Sequence, residues 1–296
     1  MASATLLGFR PAIVSAAPGS TLILLGTGGG PSPKPNRFPS AYALVIGADV
    51  YLIDAGNGVA QQLVRAGLSV NAVRHIFITH HHSDHNADLG TLPLLAWATN
   101  PAESLSIWGP PPVKQMMAQF VDFQSFDINL RTRDEGRPDF SGFLQVNEFS
   151  EPGELFRSGD VKVSCALNDH PPFKHSYALR FDTDRSYVFS GDTTYSANVV
   201  SLAKGADILV HEVMNLEVLD DLIASEPNAT SLREHLLASH STPEQVGRVA
   251  TEAGVKTLVL SHYVPGGPVL TDQQWLAAVQ AYFQGDIVVG RDLQSI

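Results

Sequence analysis

An apolar stretch, His75-Ile76-Phe77-Ile78-Thr79, runs straight into His80-His81-His82-Ser83-Asp84-His85, so the chain reads His-x-His-x-Asp-His at the end of a strand. Four potential metal ligands, His80, His82, Asp84 and His85, fall within six residues. Imidazole nitrogens joined by a carboxylate are the donors that zinc takes. So many polar groups behind a buried strand belong on a loop at the strand's carboxyl end, where open α/β sheets present their chemistry.

The surrounding pattern fits an α/β chain. Short apolar strands are expected over 21–25, 41–46, 50–53, 105–108, 161–167, 177–181, 187–189, 208–210, 257–260 and 287–289. Helices are expected up to about residue 67 and over 89–98, 113–121, 197–204, 245–253 and 272–283. Pro110-Pro111-Pro112 suits a helix's first turn, and Thr242-Pro243-Glu244 is a strong helix start. Residues 122–142 and 214–239 carry no clear period; they are expected as irregular segments that shape a pocket, the first as an inserted lid or loop. The run Gly26-Thr27-Gly28-Gly29-Gly30 does not make a phosphate-cradling loop, because no Gly-Lys-Ser/Thr ending follows. No Gly/Ser-rich linker divides the chain, and candidate ligands occur in both halves. The expectation is an N-terminal extension, 1–20, followed by one domain, 21–296, layered helix, sheet, sheet, helix.

Thirty acidic residues against 19 basic ones give a net charge of −11, and the basic residues are scattered. Nucleic-acid binding draws most of its affinity from a basic face, so such a partner is not expected from charge. No apolar run is long enough to span a bilayer, and the start, with Arg10 in mid-segment, lacks a signal peptide's basic front. The single cysteine, Cys165, can form no intrachain disulfide and is read as a small core residue. A cytoplasmic location follows as the expectation.

Three further strands end in a candidate ligand: Asn168-Asp169-His170, Ser190-Gly191-Asp192-Thr193 and Ser261-His262. With these the chain resembles the metallo-β-lactamase superfamily over residues 21–289. The motifs appear in order as Asp54, His80-x-His82-x-Asp84-His85, His170, Asp192 and His262. The resemblance implies an αββα sandwich with two zinc ions per chain, manganese or iron being variants. It puts His80, His82 and His170 on one metal, Asp84, His85 and His262 on the second, and Asp192 between them. Asp54 would fix the ligand loop without touching metal.

A closer likeness lies with the tRNase Z branch, which also holds arylsulfatase-like and phosphodiesterase-like members. Gly26-Thr27-Gly28 with Arg37, His211-Glu212 and Ser239-His240-Ser241-Thr242 resemble its motifs. That likeness implies that His240 is a general acid oriented by Glu212; with Asp84 these are the candidate catalytic residues. One departure is noted. The long tRNA-gripping arm of tRNase Z belongs between His170 and Asp192, where this chain has only 21 residues.

The resulting expectation is a dinuclear zinc hydrolase in which hydroxide held between the metals attacks a small ester-like substrate: a phosphodiester, aryl sulfate, lactone or β-lactam. The alternatives are a tRNase Z-type 3′ endonuclease and an iron-dependent redox enzyme of the same fold, although diiron relatives normally have glutamate at the position of His82. A homodimer is compatible with the sequence. His81 is expected to point away from its neighbours, His75, His175 and His235 to lie at the surface or core edge, and Trp97, Trp108, Phe120, Phe123 and Phe126 to supply core packing or an apolar pocket wall.

Overall fold

The computed structural model describes residues 19–99, 103–265 and 270–296. Most of the expected N-terminal extension, 1–18, lies outside the described residues. Strand β1 (Ser20–Gly26) shows how the layers arise. Leu22 and Leu24 face one core while Ile23 and Leu25 face another, and all four are buried. A strand apolar on both faces must be covered on both.

Among the described residues the strands form two seven-stranded sheets. In the first, β1, β2 (Ala41–Ile46), β3 (Asp49–Ile53), β4 (Val73–Phe77), β5 (Leu105–Gly109) and β6 (Leu144–Glu148) are neighbours in chain order. The second holds β7 (Gly153–Ser158), β8 (Val161–Leu167), β9 (Tyr177–Asp182), β10 (Ser186–Phe189), β11 (Ile208–Met214), β12 (Thr257–Val264) and β13 (Asp286–Val289), again in chain order. The short β14 (Gln294–Ser295) returns to pair with β1. Each sheet begins antiparallel and turns parallel, from β3 to β6 in one and from β10 to β13 in the other.

The parallel pairs need crossovers, and helices supply them. Val59–Arg65, Thr91–Ala98 and Val113–Phe123 pack on the outer face of the first sheet through Leu63, Leu92 and Met117. Ala197–Leu202, Pro243–Ala253 and Asp272–Gln280 cover the second through Val199, Val246, Val249 and Trp275. Between the sheets lie Leu22, Leu44, Ile53, Phe77, Leu179, Phe181 and Val210. Cys165 is buried in this same inner layer. The result is the expected helix, sheet, sheet, helix order.

Two segments differ from expectation. Residues 122–142 are largely helical: the helix that starts at Val113 runs on to Phe123, and Ser125–Asp134 and Phe140–Phe143 follow, separated by a non-helical stretch over 135–139. Arg131 pairs with Asp127 and Glu135 one turn away on either side, while Ile128 is the helix's only buried residue. A helix held by charge pairs shows almost no apolar period. Residues 214–239 likewise contain the helices Leu219–Ser225 and Leu232–Ser239, seated on a small core of Met214, Leu219, Leu236 and Val264. Strands β6 and β7, absent from the sequence reading, are half exposed, and each offers only two apolar residues to a core, Leu144 and Val146 in one and Leu155 and Phe156 in the other.

Candidate metal centre

The candidate ligand residues gather where the strands end. Asp54 follows β3, His80 follows β4 by three residues, His170 follows β8 and Asp192 follows β10. His82, Asp84 and His85 are carried by the loop leaving β4 and the short helix Ser83–Asn86. His262 departs from the expected pattern. Its strand does not stop at Leu260 but continues to Val264, and the ladder with β11 skips one residue, pairing Glu212 with Ser261 and Val213 with Tyr263. His262 is the bulged residue, at φ 40°, and the bulge aims its side chain at the other ligands. Before Asp192 the chain turns at Gly191 with φ 58°; a Cβ there would lie 2.9 Å from the carbonyl oxygen of Tyr177.

Three donor groups result, the last of them Glu212, His240 and His262. One ligand atom each from His80, His82, His170 and Asp192 lies within 4.8 Å of the others, and Asp84, His85, Asp192 and His262 form a second such group. Asp192 belongs to these two. All of these except His82 are buried. Nε2 of His80 and Nε2 of His170 stand 3.2 and 3.1 Å from Nδ1 of His82, and Nε2 of His85 stands 3.1 Å from Nε2 of His262. Tetrahedral zinc with bonds of ~2.0–2.1 Å sets its donors roughly 3.3 Å apart, so the spacing suits a metal.

The outer hydrogen bonds fix the tautomers. Nδ1 of His85 donates to Asp54 at 2.7 Å, and Nδ1 of His170 donates to the Ser239 carbonyl at 3.0 Å. Nδ1 of His80 faces the Thr79 hydroxyl, which itself donates to Asp54. In all three the Nε2 lone pair therefore points inward. One proton on His82 cannot satisfy two such neighbours, and Asp192 Oδ1 is buried without a hydrogen bond. A cation resolves both deficits. The carboxylates of Asp192, Asp54 and Asp84 outweigh the burial that opposes charge on His85 and draw its pKa well up, so the pocket favours positive charge, which a bound cation would supply in place of the imidazolium proton.

Asp54 accepts from the Thr79 N–H at 2.9 Å as well as from His85, so one carboxylate braces both ends of the ligand loop. The opening glycine loop folds over the site, where Gly30 N–H donates to Asp84 at 2.7 Å. Arg37 supports that loop through the Thr27 hydroxyl at 2.6 Å and lies 4.1 Å over the Tyr263 ring.

Beside the first two groups stand Glu212 and His240. Nδ1 of His240 donates to Oε1 of Glu212 at 3.0 Å, and the His240 ring stacks on that of His262 at 5.9 Å. His211 turns the other way, with Nδ1 on the Glu212 carbonyl at 2.7 Å, and burial lowers it to about 4.

The remaining histidines divide. His81 is turned from the ligands, with Nε2 on the Pro110 carbonyl and Nδ1 on Asn86. His175 meets the Tyr177 hydroxyl, and His75 packs between Tyr51 and Phe156, where burial lowers it to about 4. His235, by contrast, is not a bystander: its ring lies 5.7 Å from His82 and 5.8 Å from His170. Phe173, unmarked in the sequence, packs 4.7 Å from His82 and stacks on His170 at 5.6 Å. The expected aromatic wall does not form there. Trp97 and Phe120 sit under the first sheet's helices, Trp108 stacks on Phe77 between the sheets, and Phe123 and Phe126 are 80% and 82% exposed.

Comparison with known proteins agrees with this geometry. The family model described as Anti-Pycsar protein Apyc1 matches residues 20–237. Ribonuclease Z of Mycobacterium bovis BCG is 31% identical over 279 residues, covering 93% of this chain and 97% of that protein. Ribonuclease Z of Mycobacterium avium is 32% identical over 277 residues, with 92% and 96% covered. Among solved structures, the metallo-β-lactamase fold protein YhfI from Bacillus subtilis superposes with a TM-score of 0.70 at 20% identity, covering 94% of this chain and 98% of its own. The short form of human tRNase Z gives 0.67 at 20% identity, covering 93% and 98%. Fold and site thus define a metal-dependent hydrolase of the metallo-β-lactamase fold. The chain belongs to the family of ribonuclease Z and the anti-Pycsar protein Apyc1.

Proposed function

We propose that this chain hydrolyses phosphodiester bonds in RNA, in the manner of a tRNase Z, with two divalent cations held at the centre, zinc being the first choice. The observation that carries the reading is the match to ribonuclease Z along nearly the whole of both chains. It favours the tRNase Z-type alternative over the expectation of a small substrate. That expectation leaned on the short span between His170 and Asp192, but the aligned length leaves no room in the mycobacterial relatives for an arm of tens of residues that this chain lacks.

His80, His82 and His170 would hold one cation, Asp84, His85 and His262 the other, and Asp192 would reach both. Two bound cations supply Lewis-acid polarisation of the phosphoryl group and a nucleophilic water near neutral pH. The protein's own residues do the rest. Asp54 holds the ligand loop, Glu212 orients His240, and protonated His240 gives its proton to the leaving oxygen.

A small phosphodiester is the second reading, favoured by the net charge of −11 and the lack of a basic run. The two separate in one experiment: kcat/KM for a precursor tRNA with a 3′ trailer beside that for bis(p-nitrophenyl) phosphate. The first reading expects the precursor to be preferred and cut at one position. Weak, scattered cutting of the RNA with brisk turnover of the small ester would support the second.

A further inference from the structure

His235 stands on the helix Leu232–Ser239 at the rim of the centre. Its ring lies edge-to-face against His82, His170 and His240, with centroids 5.7, 5.8 and 6.2 Å away. It therefore overlooks both the first donor group and the candidate acid.

Its hydrogen bonding fixes its proton. The Ser239 hydroxyl donates to the Pro171 carbonyl at 2.7 Å, which leaves its oxygen as the acceptor for Nδ1–H of His235 at 3.3 Å. A neutral imidazole protonated on Nδ1 carries a lone pair on Nε2. That nitrogen has no partner among the described residues and is not a buried atom. The Ser239 carbonyl meanwhile receives Nδ1–H of His170, so a single residue aims both rings.

An acceptor nitrogen at this rim does not suit a phosphate, whose oxygens are acceptors too. It suits a hydroxyl. We infer that Nε2 of His235 accepts a hydrogen bond from the substrate hydroxyl adjacent to the leaving oxygen, so that the site selects ribose over deoxyribose at the cut. The inference rests on the RNA reading above. In RNA the oxygen with a vicinal hydroxyl is O3′, its neighbour being the 2′ hydroxyl, whereas O5′ has none. Water oxygen bonds to phosphorus, the P–O3′ bond breaks and His240 passes its proton to O3′. One product ends in a 2′,3′-diol and the other begins with a 5′-phosphate; the proton that water sheds restores His240.

The test uses a precursor tRNA with a 3′ trailer, all-ribo or carrying a single 2′-deoxy nucleotide on the 5′ side of the mapped cut. Wild-type, zinc-loaded protein is expected to favour the all-ribo substrate by roughly five- to tenfold in kcat/KM, the size of one hydrogen bond. His235→Ala should erase that preference by lowering the all-ribo value alone. Ser239→Ala, which keeps the carbonyl that His170 uses, should reduce it part way. Equal cutting of the two RNAs by wild type overturns the inference, as does a preference that survives His235→Ala. Loss of zinc from His235→Ala also overturns it, since the residue would then belong to the metal's support. If wild type cuts neither RNA yet hydrolyses bis(p-nitrophenyl) phosphate, the RNA reading itself falls, and this inference with it.

Discussion

Oε1 of Glu212 accepts Nδ1–H of His240 at 3.0 Å and, on the same oxygen, the N–H of Thr193 at 2.9 Å and of Ser241 at 3.2 Å. One carboxylate thus locks the candidate acid to the residue that follows Asp192. Burial disfavours charge on His240, but the Glu212 carboxylate outweighs it and raises the imidazole to about 9. The acid is the protonated form, so activity should fall as pH rises through about 9. Glu212→Gln removes the charge, and the basic limb should move towards the ordinary imidazole range. A limb that stays in place would contradict the pairing.

His240→Ala should lower kcat by roughly 10²–10⁴-fold, the usual cost of losing a general acid. The loss should shrink for esters with good leaving groups, which need little protonation. Metal content, measured by elemental analysis, should not change. A variant that loses metal would place His240 in the ligand set instead.

Asp192 lies in two of the donor groups, whereas His80 lies in one. Asp192→Ala should therefore strip both metal equivalents, and His80→Ala mainly one. Equal, partial losses from the two would argue against a shared ligand.

Asp54 touches the ligands only through Thr79 and His85. Asp54→Asn should weaken metal binding by roughly 10–100-fold, the effect of removing a support behind a ligand. A competition titration against a chelator reads this directly. Unchanged affinity would mean that the loop holds its shape unaided.

The parts of this site that were legible in the sequence share one physical signature. His80, His170 and Asp192 each follow an apolar strand by a few residues, so a short pattern predicts both the strand and the place where its ligand emerges. His262 was readable as a candidate ligand by motif, but not as a bulge within a longer strand, because Tyr263 and Val264 continue the apolar run past it. The helix Ser125–Asp134 was missed because ion pairs, not an apolar face, hold it. His235 was read as peripheral for a different reason. Its place at the rim depends on how the helix Leu232–Ser239 is docked by Leu236 and Ser239, a long-range matter that no local period encodes.

Gly191 is the backbone hinge on which Asp192 is presented. Gly191→Ala meets both a left-handed φ of 58° and the Tyr177 carbonyl, so it should cost on the order of 1–3 kcal/mol of stability and disturb metal binding together. Thermal unfolding with and without zinc checks this. An alanine variant as stable as wild type would show that the turn can relax.

The most direct test of a two-metal RNA hydrolase is to follow precursor tRNA cleavage while zinc is titrated into chelator-stripped protein. No cleavage is expected without metal, then a rise to a plateau at two equivalents per chain, with a single cut position throughout. Cleavage by the stripped protein, or no cleavage at any zinc level while bis(p-nitrophenyl) phosphate is turned over, would contradict this reading.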